Sequence, residues 1–237
     1  MTCDKNPEKI KSMFEEIAVY YDKVNNLISF GTHYLIKYLC VKELDIKPRS
    51  MVVDLCCGTG DFSKLINKIY PRAKVIGLDF SPEMLKLAKD KNPKGVFLQA
   101  DCTNIPFSEK EFQYATIGFG LRNIEDRQKA LSEIYRILEN DGYFLHLDFG
   151  NHNKLSKSFD IFVNLICKIC KSGAEHYQYL LDSKEEFPNP DELITEFEQQ
   201  GFKFIKRKDF LFGTISAQIM QKKPKELGID AHLLKHL

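Results

Sequence analysis

From Met51 to Leu147 the chain alternates short apolar runs with longer stretches in which apolar residues recur every three or four positions. That rhythm predicts strands joined by helices in a parallel sheet. Residues 51–55 read as a first buried strand, and Phe62, Leu65, Ile66 and Ile69 then mark one face of a helix closed by Pro71. Residues 75–78 predict a second strand, followed by Ser81 as N-cap, Pro82 at the first helical position and a helix over 83–91. A third strand over 96–98 and a fourth over 112–118 precede an amphipathic helix over 127–138. The turn residues Asn140, Asp141 and Gly142 then separate that helix from a fifth strand over 143–149.

Beyond Phe149 the rhythm breaks. Residues 151–190 read as an insertion: a polar entry, an apolar helix over 159–169, and a loop carrying Tyr177, Tyr179 and Phe187. A helix over 191–200, ended by Gly201, leads to strands over 202–209 and 215–221 joined around Gly213, close enough in sequence to pair antiparallel. Upstream, Met13, Phe14, Ile17, Val24, Leu27 and Ile28 predict N-terminal helices within 10–39. The expected organisation is a helical cap or lid over 1–45, an α/β domain over 46–222 with the insertion at about 151–190, and a tail over 223–237.

Composition narrows the partners. With 34 Lys and Arg against 33 Asp and Glu, the net charge is +1, which argues against nucleic acid. The 7 cysteines, an odd number without a regular framework, fit a reducing cytoplasm better than a disulfide scaffold. Cys167 and Cys170 form a lone pair inside a predicted helix, so no metal is expected. The polar start lacks a signal-peptide core, and the apolar run near 161–170 is too short to span a bilayer. Peripheral contact at the inner face of a membrane, and a homodimer, stay open.

The candidate chemistry begins in the loop after the first strand. Gly58 and Gly60 keep side chains away from an approaching ligand, and the next helix offers free N–H groups. As a dinucleotide fingerprint the loop lacks its third glycine, and Asp61 would stand badly beside a pyrophosphate. S-adenosylmethionine has no phosphate and carries an ammonium and a sulfonium, so Asp54 and Asp61 become favourable. Asp79, nineteen positions after Gly60, ends the second strand where a carboxylate can accept from both ribose hydroxyls. Asp101 and Cys102 follow the third strand, placed to meet an adenine. Each acid taken singly could equally be a turn or cap residue, but three at strand ends around one glycine loop favour the ligand.

With those residues the chain resembles the class I methyltransferases, and more narrowly the ubiquinone/menaquinone C-methyltransferase family. The run from Tyr21 through His33 looks like that family's N-terminal signature, and Phe119-Gly120-Leu121-Arg122-Asn123-Ile124 its fourth-strand loop. Tyr135 to Leu138, on through Gly142 to Asp148 and Phe149, resembles a second signature, and 177–188 a later tyrosine-rich segment. The match spans about 13–221. Ile36 stands where the family usually has tryptophan, Asn140 and Asp141 where proline and glycine are usual. Asp148, Phe149 and Gly150 replace glutamate, an aromatic and serine, and Cys56 and Cys57 replace small residues.

The resemblance implies a Rossmann-like fold: a mostly parallel seven-stranded sheet with an antiparallel C-terminal strand and helices on both faces. It implies methyl transfer from S-adenosylmethionine to a ring carbon of a polyprenyl hydroquinol, most simply demethylmenaquinol. Carbon becomes nucleophilic there when a phenolic oxygen loses its proton, so the phenolate must be favoured and the ring proton later removed. Arg122 could stabilise the phenolate and Asn123 orient it, Tyr21 would line the substrate site, and His33 could act as base. Gly58, Thr59, Gly60, Phe80 and Gly118 join Asp54, Asp79, Asp101 and Cys102 as the expected cofactor contacts. His33 could equally be a helix-end residue, and Arg122 a structural partner of Asp126 or Asp148. Two rival functions remain: methylation of another small-molecule or lipid acceptor, and a non-catalytic cofactor-binding subunit of a quinone-biosynthesis assembly.

Overall fold

The computed structural model describes residues 4–151, 157–158, 160–161 and 174–224. Its seven strands are β1 (Met51–Leu55), β2 (Lys74–Asp79), β3 (Val96–Gln99), β4 (Phe112–Gly118), β5 (Leu138–Phe149), β6 (Phe202–Phe210) and β7 (Ile215–Lys222). They form one sheet in the order β3-β2-β1-β4-β5-β7-β6. Strands β1 to β5 pair in parallel, and β7 inserts antiparallel between β5 and β6. This is the α/β architecture expected from the sequence. Strand order reverses at β1, since β2 and β3 are added on one side and β4 and β5 on the other. Connections leaving such a point in opposite directions open a crevice at the carboxyl ends of the two central strands.

The helices are α1 (Pro7–Ser29), α2 (Thr32–Glu43), α3 (Asp61–Ile69), α4 (Pro82–Lys91), α5 (Arg127–Ile137), α6 (Ala174–Glu185) and α7 (Pro190–Gln199). Alternation along the strands sends successive side chains to opposite faces. Val53, Ala115, Ile117 and Phe144 pack against Leu131 and Ile134 of α5 and Leu193 and Phe197 of α7. Val52, Tyr114, Leu145 and Leu147 pack against Ile36 and Val41 of α2 and Phe62 and Ile66 of α3. Each fully buried aliphatic or aromatic side chain contributes roughly 1.5–3 kcal/mol of transfer free energy. Ile36, in the tryptophan position, is part of this second core and stays buried.

Helix α1 starts on Asn6, whose side chain accepts from the Glu8 and Lys9 amides, and ends where Phe30 and Gly31 take φ of 50° and 74°. Two successive left-handed residues turn the chain back into α2. Helix α1 then packs on α4 and α2 on α3, which places both at the crevice.

Two expectations are corrected. Residues 174–185 are helical rather than a loop: between Gly173 and Pro188 the sequence has no breaker, and Gln178 bonds Asp182 one turn on at 2.7 Å. Asn140, Asp141 and Gly142 do not separate α5 from β5. Pairing begins at Leu138 with Phe112 and resumes at Tyr143 with Tyr114, so these residues bulge out of a strand that starts straight after the helix. Asp141 takes φ 62° there. Most of the apolar helix predicted over 159–169, Cys167, Cys170, the Tyr177 side chain and the tail beyond 224 lie outside what is described.

Candidate active site

The carboxyl ends of β1 and β4 open onto a cavity of about 790 Å³, a size typical of small-molecule sites. Its walls come from α1, the start of α2, the 56–60 loop after β1, the 118–123 segment after β4, Phe149 of β5, and Tyr179 and Leu180 of α6.

Two strand-end carboxylates organise the loop side. Asp54 accepts from Thr116 Oγ1 at 2.9 Å on one oxygen, and from Ser63 N at 2.9 Å and Ser63 Oγ at 2.7 Å on the other. It thereby ties β1 to β4 and to the first turn of α3. Burial pushes its carboxyl up to about 6 in spite of those donors. Asp79 accepts from Gly58 N at 2.8 Å and Ser81 N at 3.0 Å, and burial raises its carboxyl as well. The Phe80 amide is a third donor to this carboxylate, which still has acceptor capacity for a further one. Gly58 takes φ 53°, and an added Cβ would meet nothing within 4 Å, so the backbone itself faces open space. Gly118 is glycine for the opposite reason: a Cβ would stand 2.2 Å from the Phe62 ring.

Beside the loop lies a network of four charges. Lys91 Nζ donates to Asp22 Oδ2 at 2.8 Å, Asp61 Oδ1 at 2.8 Å and Thr59 Oγ1 at 2.7 Å. Thr59 Oγ1 donates in turn to Asp22 Oδ1 at 2.8 Å, and Lys37 Nζ to Asp61 Oδ2 at 2.7 Å. Burial would raise the Asp61 carboxyl, but Lys37 and Lys91 outweigh it and hold the group well below the usual carboxylate range. The charge that the sequence offered to a cationic ligand through Asp61 is therefore matched within the protein. His33 stands next to this network. Burial, reinforced by Lys37, lowers its imidazole to about 4.

The other side is built on the 3-10 turn Leu121–Asn123 after β4. Arg122 is 6% exposed. Its Nη1 donates to Asp148 Oδ1 at 3.0 Å and to the Phe119 carbonyl, and its guanidinium lies 5.2 Å from the Phe149 ring centroid. Arg122 Nε and Asp148 Oδ2 are buried and have no hydrogen-bond partner among the described residues. Asn123 donates to Phe119 O at 3.3 Å and accepts from the Tyr179 hydroxyl at 3.2 Å.

Among the residues singled out in the sequence, Tyr21, His33, Asp54, Gly58, Thr59, Gly118, Arg122 and Asn123 line the cavity. The others stand around it. Gly60 caps α3, where a Cβ would press on Ala88 and Phe97. Asp79 holds the loop from behind. The Phe80 carbonyl accepts from Gln99 Nε2 at 3.0 Å. Asp101 is exposed and closes a turn on Thr103, accepting from its amide at 2.8 Å and its hydroxyl at 2.9 Å. Cys102 is buried, its Sγ 3.4 Å from that of Cys56. Lys37, Ser29 and the Asp22–Lys91 pair were missed by sequence reasoning. The spacing of Lys37 four residues after His33, on one helix face, was the available signal. Among the described residues no group of His, Cys, Asp and Glu could hold a metal ion, and no helix is long and apolar enough to cross a membrane.

Comparison with known proteins bears on the family and the fold. The model of the ubiE/COQ5 methyltransferase family matches residues 2–222. A demethylmenaquinone methyltransferase of Staphylococcus carnosus is 36% identical over 229 residues, 92% of this chain and 95% of that protein. A 2-phytyl-1,4-naphtoquinone methyltransferase of Thermosynechococcus vestitus is 34% identical over 223 residues, covering 90% of this chain and 99% of that protein. Among solved structures, a methyltransferase of Thermotoga maritima has a TM-score of 0.68 at 21% identity, over 90% of this chain and 99% of that one. The [4+2]-cyclase SpnF has a TM-score of 0.67 at 11% identity, over 90% and 96%. These structural likenesses speak for the fold alone, since such a fold hosts different chemistries.

Proposed function

The chain belongs to the ubiE/COQ5 methyltransferase family, and from that premise we propose that it transfers a methyl group from S-adenosylmethionine to a ring carbon of a polyprenyl naphthoquinol, turning a demethylmenaquinol into a menaquinol. The observation that carries the reading is a single cavity bounded both by the 56–60 loop and by Arg122 and Asn123, with apolar residues of α1 as its remaining wall.

The residues present suit the cofactor. The Gly58 backbone is open to the cavity, and Asp79 keeps acceptor capacity for a ribose hydroxyl. Bound there, S-adenosylmethionine supplies an electrophilic methyl group. Gly58, Thr59 and Gly118 would pack along its amino-acid end, with Asp54 facing its positive charge. Asp79 would accept from its ribose, while Phe80, Asp101 and Cys102 would edge its adenine.

On the acceptor side, Asp148 anchors one terminal nitrogen of Arg122, and the remainder of the guanidinium stabilises the phenolate of the reduced ring. Asn123 fixes the turn and holds the Tyr179 hydroxyl, and Tyr21 closes the site from α1. Neutral His33 accepts the ring proton after methyl transfer, a proton made acidic by the neighbouring oxygen-bearing carbon. Met13, Phe14, Ile17 and Val24 give the prenyl tail an apolar wall. Such a tail resides in a bilayer, and the exposed Val19, Leu27 and Leu35 of α1 and α2 suit shallow contact with one.

The test is an anaerobic methyl-transfer assay with isotopically labelled cofactor and chemically reduced demethylmenaquinone. C-methylated naphthoquinol is the expected product. Turnover of a benzoquinol alone would overturn the acceptor assignment, and no product from either quinol would overturn the function.

A further inference from the structure

We infer that Lys37 binds the carboxylate of the cofactor's amino-acid end. The inference rests on the cofactor reading above and adds a residue to it.

Lys37 follows His33 by one helical turn on α2, and both line the cavity. Among the described lining residues, Lys37 and Arg122 alone carry a full positive charge. The proposed reaction brings two anionic groups to this cavity, the carboxylate of the cofactor and the phenolate of the acceptor. Arg122 is held on the β4 side by Asp148 and Phe119 O, next to Asn123 and Phe149. Lys37 stands on the β1 side with Asp61, close enough to Asp54 for the two charges to act on each other. Position therefore divides the two cations between the two anions.

The bonding of Lys37 leaves it able to do this. An ammonium has three protons, and the bond to Asp61 Oδ2 at 2.7 Å uses one. Asp61 has a second cation on its other oxygen, Lys91 at 2.8 Å. A ligand carboxylate beside Lys37 thus completes a buried ammonium without stripping Asp61 of its neutralising charge. Residue exposure of 9% keeps water from screening that contact.

Calorimetric titration of the full chain with S-adenosylhomocysteine and with its decarboxylated analogue tests the assignment. The unaltered protein should prefer the carboxylate-bearing ligand by roughly ten- to a hundredfold, the range of one charge-assisted hydrogen bond. Lys37→Gln should erase that preference by weakening S-adenosylhomocysteine alone, and Lys37→Arg should restore most of it. Equal weakening of both ligands in Lys37→Gln would mean that Lys37 only balances Asp61, and the inference fails. Should Lys37→Gln not fold in a thermal melt, equal affinity of the unaltered protein for the two ligands overturns the inference by itself. Binding of neither ligand to the unaltered protein would strike down the cofactor reading instead.

Discussion

Ser29 Oγ lies 2.6 Å from His33 Nδ1 and 2.6 Å from the carbonyl oxygen of Asn25. A hydroxyl has one proton, and the carbonyl can only accept it, so Nδ1 must be the donor to Ser29. The lone pair of His33 is therefore on Nε2. The last turn of α1 sets the tautomer of a residue on α2, and burial with Lys37 keeps that imidazole neutral down to about pH 4.

If this neutral imidazole takes the ring proton, His33→Gln should lower kcat by roughly 10²- to 10⁴-fold, the usual range for a general base, with little change in cofactor affinity. The pH profile adds a sharper test. The unaltered enzyme should show no ionisation near 6.5 that the substitution removes. An acid limb near 6.5 that vanishes in His33→Gln would mean the residue titrates as an ordinary exposed histidine, and the assignment would be wrong.

Asp54 gives a prediction about stability. Its carboxyl ionises at about 6 in the folded chain against an ordinary 3.8, so folding favours its protonated form. That contribution is fully present below 3.8 and is lost as pH rises through about 6. Asparagine has the same shape, can accept from Ser63 and can donate to Thr116 Oγ1. Asp54→Asn should accordingly melt above the unaltered protein at pH 8, by at most about 3 kcal/mol, with the gain shrinking toward pH 4. Its cofactor affinity should fall at the same time. A variant that melts lower at pH 8 than at pH 4, relative to the unaltered chain, would contradict this account.

Asp79 couples the cofactor to the loop that receives it. Removing the carboxylate deletes the acceptor of Gly58 N as well as the proposed partner of the ribose. Asp79→Ala should weaken S-adenosylhomocysteine about a hundredfold or more, two charged hydrogen bonds together. Unchanged affinity in the calorimeter would remove Asp79 from the ribose site.

The sheet was legible because its signal is local and repeated. Runs such as Val52-Val53 and helix faces such as Phe62, Ile66 and Ile69 declare their period within ten residues. The helix over 174–185 was less legible, since a stretch dense in tyrosine and charge shows no apolar stripe to separate helix from loop. The bulge at Asn140 to Gly142 combined correct turn residues with a placement that depends on the partner strand, and sequence does not carry that partner. In the site, residues on one short motif, such as Arg122 and Asn123, could be named in advance. The network of Asp22, Thr59, Asp61 and Lys91 could not, because its members lie up to 69 positions apart and meet only after α1 and α4 pack. For the same reason the charge of Asp61 looked available when it is already matched.

That network also makes a prediction about the local opening of α1. Asp22 belongs to α1, and its two oxygens bind Thr59 of the loop and Lys91 of α4. Helix α1 forms one wall of the cavity, so these bonds tie that wall to the loop and to α4. The Asp22 side chain is 33% exposed, so solvent screening limits what the pair with Lys91 contributes to global stability. The effect should be local to α1. Asp22→Ala leaves Lys91 bonded to Asp61 and Thr59, so the network loses its attachment to α1 but not its core. Hydrogen exchange across Pro7–Ser29 should then accelerate about three- to tenfold, as expected for weakening a local opening by about 1 kcal/mol, while exchange in β1 and β4 stays the same. Added S-adenosylhomocysteine should slow it again. Unchanged α1 exchange in Asp22→Ala would show that apolar packing on α4 holds the helix and that the ion pair does not latch it.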